Sequence, residues 1–120
     1  MTHILAVDDS PSMRDMVRIA LTAAGFQVSQ AADGEEALAL ARTHSFDLVL
    51  SDVNMPCMDG IALIRALRAE PAYRHTPILM LTTESSPERK REGKEAGATG
   101  WIVKPFDPEQ LVATMKRVLR

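Results

Sequence analysis

The sequence predicts an α/β domain in which helices cover both faces of one parallel sheet. Five short apolar segments alternate with five segments of helical character along the 120 residues. At least three of the apolar segments are continuously apolar, which is typical of strands buried on both faces of a sheet. No linker, low-complexity tract or longer repeat interrupts the alternation. We therefore expect one domain over residues 1–120.

The predicted strands are residues 3–7, 27–31, 47–51, 77–81 and 100–103. A helical segment separates each strand from the next, so successive strands are joined by crossovers. Because such crossovers are right-handed, they place helices on both faces of a single sheet. We therefore expect a doubly wound sheet of five parallel strands with five helices.

The first two helices have clear starting signals. Ser10 and Pro11 form a good N-cap and first-turn pair, and Gly25 ends the first helix. Asp33 and Glu36 form a capping-box pattern at the start of the second helix. The apolar stripe predicted for the first helix comprises Met13, Met16, Val17, Ala20, Leu21 and Ala24.

The three later helices differ in their boundary signals and in their expected stability. The third must end before Pro71. The fourth begins near Ser86, is charged all round and contains Gly93, which costs about 1 kcal/mol relative to alanine, so we expect it to be the least stable helix. The last begins at Asp107, and its predicted inner face comprises Leu111, Val112, Met115, Val118 and Leu119.

The composition excludes several classes of protein. A net charge of −2 gives no general attraction for nucleic acid or anionic membranes. No apolar stretch approaches the roughly 20 residues of a membrane span, and the N-terminal segment lacks the basic start of a signal peptide. Cys57 is the only cysteine, so an internal disulfide is impossible and a cytoplasmic location is expected.

Polar residues stand at the carboxyl ends of four predicted strands, where doubly wound sheets bind their ligands. In chain order they are Asp8 and Asp9, then Asp52, then Thr82, and finally Lys104. Three carboxylates at one edge repel one another, by about 4 kcal/mol per pair at ~4 Å and an effective dielectric constant near 20. Lys104 alone does not balance them, and an all-oxygen ligand set favours Mg²⁺ or Mn²⁺. Helix caps and a lysine salt bridge are the alternative interpretation.

The same residue types indicate phosphoryl chemistry. No G-x-x-x-x-G-K-[ST] loop for binding ATP is present. A carboxylate can act as a nucleophile towards phosphorus and become an aspartyl phosphate. A divalent cation and Lys104 would stabilise charge on the transferring group, and Thr82 could donate a hydrogen bond to it.

Together these residues resemble the receiver domain of two-component response regulators. The likeness covers essentially the whole chain. It rests on four motifs in the right order and spacing: VDDS at residues 7–10, SDVNMPCMDG at 51–60, LTT at 81–83 and WIVKPF at 101–106. The resemblance implies the flavodoxin-like strand order 2-1-3-4-5.

Carried over position by position, the resemblance implies that Asp52 is the phosphoacceptor. Asp9 and Asp52 would be side-chain metal ligands, and the backbone carbonyl of Asn54 would be a third. Asp8 would assist through a metal-bound water, and Lys104 would hold a phosphoryl oxygen. No organic cofactor is implied, only Mg²⁺ or Mn²⁺.

The resemblance also assigns a switch. Thr82 would be the switch hydroxyl and Trp101 the switch aromatic, a position where the family more often has tyrosine or phenylalanine. Pro105 stands where the family often has a cis peptide. Asn54 and Glu84 would flank the path of attacking water and tune dephosphorylation. The alternatives are a packed aromatic for Trp101 and two solvent-facing loop residues for the pair.

The pair formed by Asn54 and Glu84 resembles that of chemotaxis receivers. The implied function is a signalling switch that accepts a phosphoryl group from a sensor histidine kinase and binds a flagellar motor switch protein. A phosphatase is a further implied partner; nucleic acid and membranes are not. The protein would not be an enzyme, although it promotes its own phosphorylation and dephosphorylation.

No output domain is expected after Arg120, so the output would be binding. The fourth helix, fifth strand and fifth helix form the family's usual output face. Its basic residues are Arg89, Lys90, Arg91, Lys94 and Lys116, which suit an acidic partner, although a solvated charged face has the same composition.

Three other functions are alternatives to this one. Within the family, the chain could be a phosphorelay intermediate or phosphate sink outside chemotaxis. A flavodoxin-like cofactor binder would need a phosphate-cradling first loop and sandwiching aromatics, but this loop is acidic and Trp101 and Tyr73 are the only large polar aromatics. A phosphatase acting on a separate substrate would need a second acid where Asn54 stands.

Overall fold

The computed structural model describes residues 2–83 and 86–119. Its strands are β1 (His3–Val7), β2 (Gln27–Ala31), β3 (Leu48–Asp52), β4 (Ile78–Thr82) and β5 (Gly100–Val103). Its α-helices are α1 (Pro11–Ala23), α2 (Gly34–Thr43), α3 (Gly60–Ala69), α4 (Pro87–Ala96) and α5 (Pro108–Val118), and a short 3-10 helix spans Pro71–Tyr73.

The strands form one parallel sheet in the order β2-β1-β3-β4-β5. This arrangement confirms the predicted doubly wound sheet and its strand order. β1, β3 and β4 are buried almost throughout, whereas the edge strands β2 and β5 are partly exposed. The continuously apolar segments therefore correctly identified the central strands.

Two strand boundaries differ from the prediction. β3 and β4 each begin and end one residue later than expected. The reason is that Asp52 and Thr82 still take part in the ladder, where Asp52 lies opposite Leu81 and Thr82 lies opposite Val103. Polar side chains thus occupy the last position inside the sheet instead of the first position beyond it.

Two hydrophobic clusters cover the two faces of the sheet. Along β1, Leu5 and Val7 belong to one cluster, whereas Ile4 and Ala6 belong to the other, because successive strand side chains point to opposite faces. The first cluster joins the sheet to α2 and α3, and the second joins it to α1 and α5.

The helix termini follow the predicted signals. Ser10 Oγ accepts a hydrogen bond from Met13 N, and Asp33 Oδ1 accepts one from Glu36 N. α3 ends before Pro71, as expected. On α5, Leu111 and Met115 are buried, and the rest of the predicted inner face packs partly against the second cluster.

The apolar stripe of α1 is only partly correct. Val17 and Leu21 are buried, but Met16 is 50% exposed. Successive residues on a helix are about 100° apart, so Met16 lies at the margin of the face centred on Val17 and Leu21. The prediction that Met16 belongs to the core was wrong.

α4 packs on the sheet through small residues. Its buried residues are Gly93 and Ala96. A Cβ atom added to Gly93 would lie 2.9 Å from the Met80 sulfur, so glycine lets the helix approach β4 closely. The low stability of α4 stays a prediction.

Arg68 anchors the C-terminal end of α4. Its guanidinium donates to the carbonyl oxygen of Gly97 from Nε at 3.1 Å and from Nη2 at 2.8 Å. Its Nη1 donates to the carbonyl oxygens of Tyr73 and Thr76 at 2.7 and 2.6 Å. One side chain on α3 therefore fixes the chain on both sides of β4.

Tyr73 ties the 3-10 helix to the chain that follows α2. Its hydroxyl lies 2.7 Å from the carbonyl oxygens of both Ala41 and His44, which share its single hydrogen. Burial raises the pKa of the Tyr73 phenol above its ordinary value of 10.0. Tyr73 is the only tyrosine in the sequence.

No helix among residues 2–83 and 86–119 combines the length and hydropathy needed to cross a bilayer.

We predict that Tyr73→Phe lowers the free energy of unfolding by about 1–2 kcal/mol at neutral pH, because buried carbonyl oxygens lose their donor. A group whose pKa is raised by folding contributes stability that is complete below its unfolded pKa and is lost as the pH rises through the folded pKa. The difference in the free energy of unfolding between wild type and Tyr73→Phe should therefore become smaller above about pH 10. Urea unfolding at several pH values measures this difference. A difference that stays constant across the pH range would contradict the role of the hydroxyl.

Candidate functional site

The register of the sheet brings the predicted polar residues to one edge. Val7 lies opposite Ser51, Asp52 opposite Leu81, and Thr82 opposite Val103. The four strands β1, β3, β4 and β5 therefore end at nearly the same level. This alignment makes neighbours of four polar residues at the edge of the sheet: Asp8, Asp52, Thr82 and Lys104.

Lys104 is the centre of this cluster. Its ammonium donates to Asp8 Oδ2 at 3.0 Å and lies 3.4 Å from Asp52 Oδ2. The side chains of all three residues are largely buried, with exposures of 12% for Lys104, 4% for Asp8 and 11% for Asp52. A single cation thus faces two carboxylates in a poorly solvated site, where electrostatic interactions are stronger than at the surface.

Both oxygens of the Asp8 carboxylate have protein partners. Oδ2 accepts from Lys104, and Oδ1 accepts from the backbone N–H of Ser10 at 2.9 Å. The Arg14 guanidinium donates to the Asp8 backbone carbonyl at 2.6 Å. Asp8 is therefore held in place by the start of α1.

Asp52 is less completely neutralised. Its Oδ1 accepts from the N–H of Val53 at 2.8 Å. Burial raises the pKa of the Asp52 carboxyl above its ordinary value of 3.8; the Lys104 ammonium lowers this pKa, and the Asp8 carboxylate raises it again. The net direction is upward, so desolvation outweighs the attraction of Lys104.

A divalent cation fits the acidic cluster. One carboxylate oxygen from each of Asp8, Asp9 and Asp52 lies within 4.8 Å of the others. Asp9 is exposed, whereas Asp8 and Asp52 are buried, so the cluster opens to solvent on the side of Asp9. Oxygen ligands and an excess of negative charge match the preferences of Mg²⁺.

The loop after β3 approaches the site closely because of a glycine. A Cβ atom on Gly60 would collide with the backbone carbonyl oxygen of Asp52. The Gly60 N–H donates to the Val53 carbonyl at 2.8 Å, and Asp59 caps α3 by accepting from Ala62 N. The Asp-Gly pair thus starts α3 directly beside Asp52.

Asn54 and Cys57 lie in this loop and are exposed. The loop therefore presents the second residue after Asp52 to solvent, an exposure that fits both a residue beside the path of water and a plain loop residue, so the tuning role of Asn54 stays a prediction. Glu84, its predicted counterpart, lies outside the described residues.

The predicted switch residues Thr82 and Trp101 lie on the neighbouring strands β4 and β5. Thr82 is 4% exposed at the end of β4, and its carbonyl oxygen accepts from Lys104 N at 2.8 Å. Trp101 is half-buried and lies with Thr82 beside a narrow cavity under α4. The ammonium of Lys90 lies 5.3 Å from the centre of the Trp101 ring, a cation–π contact. The peptide bond between Lys104 and Pro105 is cis, as predicted.

The basic residues of the predicted output face do not share one environment. Arg91, Lys94 and Lys116 are exposed, whereas Arg89 and Lys90 are partly buried. Lys90 contacts Trp101, and Arg89 donates from Nη2 to Asn54 Oδ1 at 3.3 Å. The sequence placed Arg89 with the other cations of the output face and gave no sign of its contact with the β3–α3 loop.

Comparisons with known proteins agree with this geometry. Residues 4–116 match the family model of the response regulator receiver domain. The chemotaxis protein CheY4 of Vibrio cholerae superposes with a TM-score of 0.95 at 58% identity, covering 98% of each chain. The chemotaxis protein CheY of Pseudomonas aeruginosa is 38% identical over 116 residues, which are 96% of this chain and 94% of that protein.

Other relatives are larger or belong to kinases. The chain spans about half the length of several curated transcriptional regulators that it matches. The receiver domain of the Pseudomonas aeruginosa sensor histidine kinase PA1611 has a TM-score of 0.92 at 29% identity, covering 98% of this chain and 97% of that one. Its structure has a magnesium ion coordinated in the active-site cleft.

The family match over residues 4–116, the strand order and the acidic cluster beside Lys104 lead to one conclusion. The chain belongs to the response regulator receiver domains of two-component signalling.

Proposed function

We propose that this protein is a phosphorylation-dependent signalling switch in which Asp52 accepts a phosphoryl group from the phosphohistidine of a sensor histidine kinase. The observation that carries the proposal is the buried Asp52 carboxylate, which lies 3.4 Å from the Lys104 ammonium within a cluster of three acids. A carboxylate oxygen would form the bond to phosphorus as the phosphorus–nitrogen bond breaks. The imidazole would leave with the electron pair and take up a proton.

The chain's own groups would stabilise this transfer in distinct ways. The Lys104 ammonium already contacts Asp52 Oδ2, so it would lie beside a phosphoryl oxygen bound there. The Val53 N–H holds the other carboxylate oxygen and fixes the orientation of the nucleophile. Asp8 keeps Lys104 in place through its 3.0 Å hydrogen bond.

Asp9, Asp52 and the backbone carbonyl of Asn54 would hold Mg²⁺ or Mn²⁺, with Asp8 assisting through a water. When bound, the cation would neutralise charge on the acidic cluster and on the phosphoryl oxygens. The convergence of the three carboxylates within 4.8 Å supports this assignment, as does the magnesium in the PA1611 receiver domain.

Chemotaxis is the signalling pathway that the comparisons favour. CheY4 of Vibrio cholerae is 58% identical, and CheY of Pseudomonas aeruginosa matches over 94% of its length. The proposed target is a flagellar motor switch protein in the cytoplasm, bound through α4, β5 and α5. The exposed cations Arg91, Lys94 and Lys116 suit an acidic partner surface.

A second candidate is a phosphorelay intermediate or phosphate sink outside chemotaxis. Matches to transcriptional regulators favour it, because they show that closely similar receiver domains serve other outputs. In either case the protein would be a binding switch that promotes its own phosphorylation and dephosphorylation, with a phosphatase as a further partner. Binding of purified motor switch protein by the phosphorylated chain separates the two candidates.

We predict that a small phosphodonor with Mg²⁺ adds one phosphoryl group to the wild-type protein, observed by intact-protein mass spectrometry. Asp52→Asn should take up none, because an amide is a poor nucleophile. Asp15→Asn is the matched control, since Asp15 is an exposed carboxylate on α1. Uptake by Asp52→Asn equal to that of wild type would refute the assignment.

We predict that Mg²⁺ raises the melting temperature by relieving repulsion among the carboxylates. At about ten times the dissociation constant, binding stabilises the fold by roughly 1.4 kcal/mol. The rise in melting temperature on addition of Mg²⁺ should be smaller in Asp9→Ala, because this variant lacks one ligand and one negative charge. NaCl at equal ionic strength controls for screening, and an equal gain in the variant would exclude Asp9 as a ligand.

We predict that phosphorylation alters the surroundings of Trp101 and the stability of α4 through Thr82. Trp101 is the only tryptophan, so its fluorescence reports this one position. Emission should change after addition of phosphodonor, and hydrogen exchange of residues 88–96 should change with it. Both effects should be smaller in Thr82→Ala. Because Mg²⁺ near the ring can alter emission by itself, both proteins are compared with Mg²⁺ before and after the donor.

Unchanged exchange of residues 88–96 in the phosphorylated wild-type protein would refute the coupled switch, even if Asp52 proved to be the acceptor.

A further inference from the structure

We propose that Arg89 is a positioning residue that prolongs the lifetime of the aspartyl phosphate by holding the Asn54 side chain. This inference rests on the phosphoryl chemistry proposed for Asp52. Arg89 would be a second cation acting at this site, alongside Lys104. Its role would depend on a hydrogen bond between α4 and the β3–α3 loop.

The position of Arg89 is defined at several points. It lies in the first turn of α4, where its backbone N–H donates to the Ser86 hydroxyl at 3.2 Å. Its Nη1 donates to Glu92 Oε2 at 3.2 Å, and its Nη2 donates to Asn54 Oδ1 at 3.3 Å. Only 29% of the side chain is exposed. Arg89 also lines the narrow cavity that contains Thr82 and Trp101.

The chemistry of a guanidinium determines how Asn54 is oriented. Arginine has five N–H donors and no acceptor, so the amide atom that faces Arg89 must be the oxygen. The amide NH₂ group must then face away from Arg89. One contact therefore selects one of the two amide orientations of Asn54 and uses one of the two lone pairs of its oxygen.

That acceptor atom matters for hydrolysis of the aspartyl phosphate. In hydrolysis, the oxygen of water forms a bond to phosphorus while the bond from phosphorus to the Asp52 oxygen breaks. The electron pair returns to the Asp52 carboxylate, the water proton leaves to solvent, and inorganic phosphate is released. A nearby hydrogen-bond acceptor helps to orient the attacking water.

In this proposal Asn54 Oδ1, two residues beyond Asp52, would be such an acceptor. While it accepts from Arg89, it is less available to water. Removal of Arg89 would free the oxygen and also the orientation of the amide. The lifetime of the phosphoryl group would then fall.

The test measures loss of the phosphoryl group after removal of the small donor in the presence of Mg²⁺. Arg89→Met should shorten the half-life by about two- to fivefold, the effect expected from loss of one hydrogen bond. Arg89→Lys, which keeps a charged donor, should restore part of the lifetime. Arg65→Met is the matched control, because it removes an exposed arginine on α3, outside both the site and the proposed output face.

A double-mutant cycle separates this role from a general effect on folding or charge. In an Asn54→Ala background, Arg89→Met should cause no further shortening, because the amide on which Arg89 acts is gone. Equal melting temperatures of wild type and Arg89→Met would confirm that the fold is intact.

An unchanged half-life in Arg89→Met, or the same shortening with and without Asn54, would overturn the role of Arg89 while leaving phosphorylation of Asp52 intact. Failure of the wild-type protein to take up phosphoryl groups would instead refute the proposed function, and the role of Arg89 with it.

Discussion

The contact of one ammonium with two buried carboxylates governs the structure of the site. Lys104 lies 3.0 Å from Asp8 Oδ2 and 3.4 Å from Asp52 Oδ2, and these groups have little access to water. One positive charge does not cancel two negative charges, and burial raises the pKa of Asp52 even with Lys104 beside it. Exposed Asp9 adds a third carboxylate nearby. The site thus has an excess of negative charge that favours a cation, and a lysine positioned to meet an incoming anion.

A parallel sheet with the strand order β2-β1-β3-β4-β5 brings these groups together. Asp8 and Lys104 are 96 residues apart in sequence, and the order β2-β1-β3-β4-β5 places the ends of β1, β3 and β4 side by side. Close approach of α3 to the end of β3 then requires glycine at residue 60, because a side chain would meet the Asp52 carbonyl. The acidic site is therefore a consequence of strand register together with one steric constraint.

Most of the elements and the polar residues at the strand ends could be predicted from local signals in the sequence, whereas the strand order was implied by the resemblance to receiver domains. Continuous apolar runs identify buried strands, caps such as Ser10 and Asp33 locate helix starts, and motif spacing locates the strand ends. Features that depend on how elements meet could not be predicted. The exposure of Met16 depends on the rotation of α1 about its axis, and the contact of Arg89 with Asn54 depends on the path of α4 over the loop. A charged helix face gives no sequence signal for which of its cations turns inward.

The packing of α4 connects the site to the proposed output face. Small buried residues let the helix lie close to β4, so little apolar area holds it there. Its C-terminal end is fixed by Arg68, whereas its N-terminal half is joined to the site through Arg89 and to Trp101 through Lys90. Changing the ratio of active to inactive conformations from 1:99 to 99:1 requires the phosphoryl group to stabilise the active one by about 5.5 kcal/mol more than the inactive one. Charge-assisted hydrogen bonds of a phosphoryl group to Lys104 and Thr82 would supply part of it. A helix fixed by Arg68 at its C-terminal end and held elsewhere by small buried residues would need less of that energy to move, which is the physical basis of the switch proposed for α4.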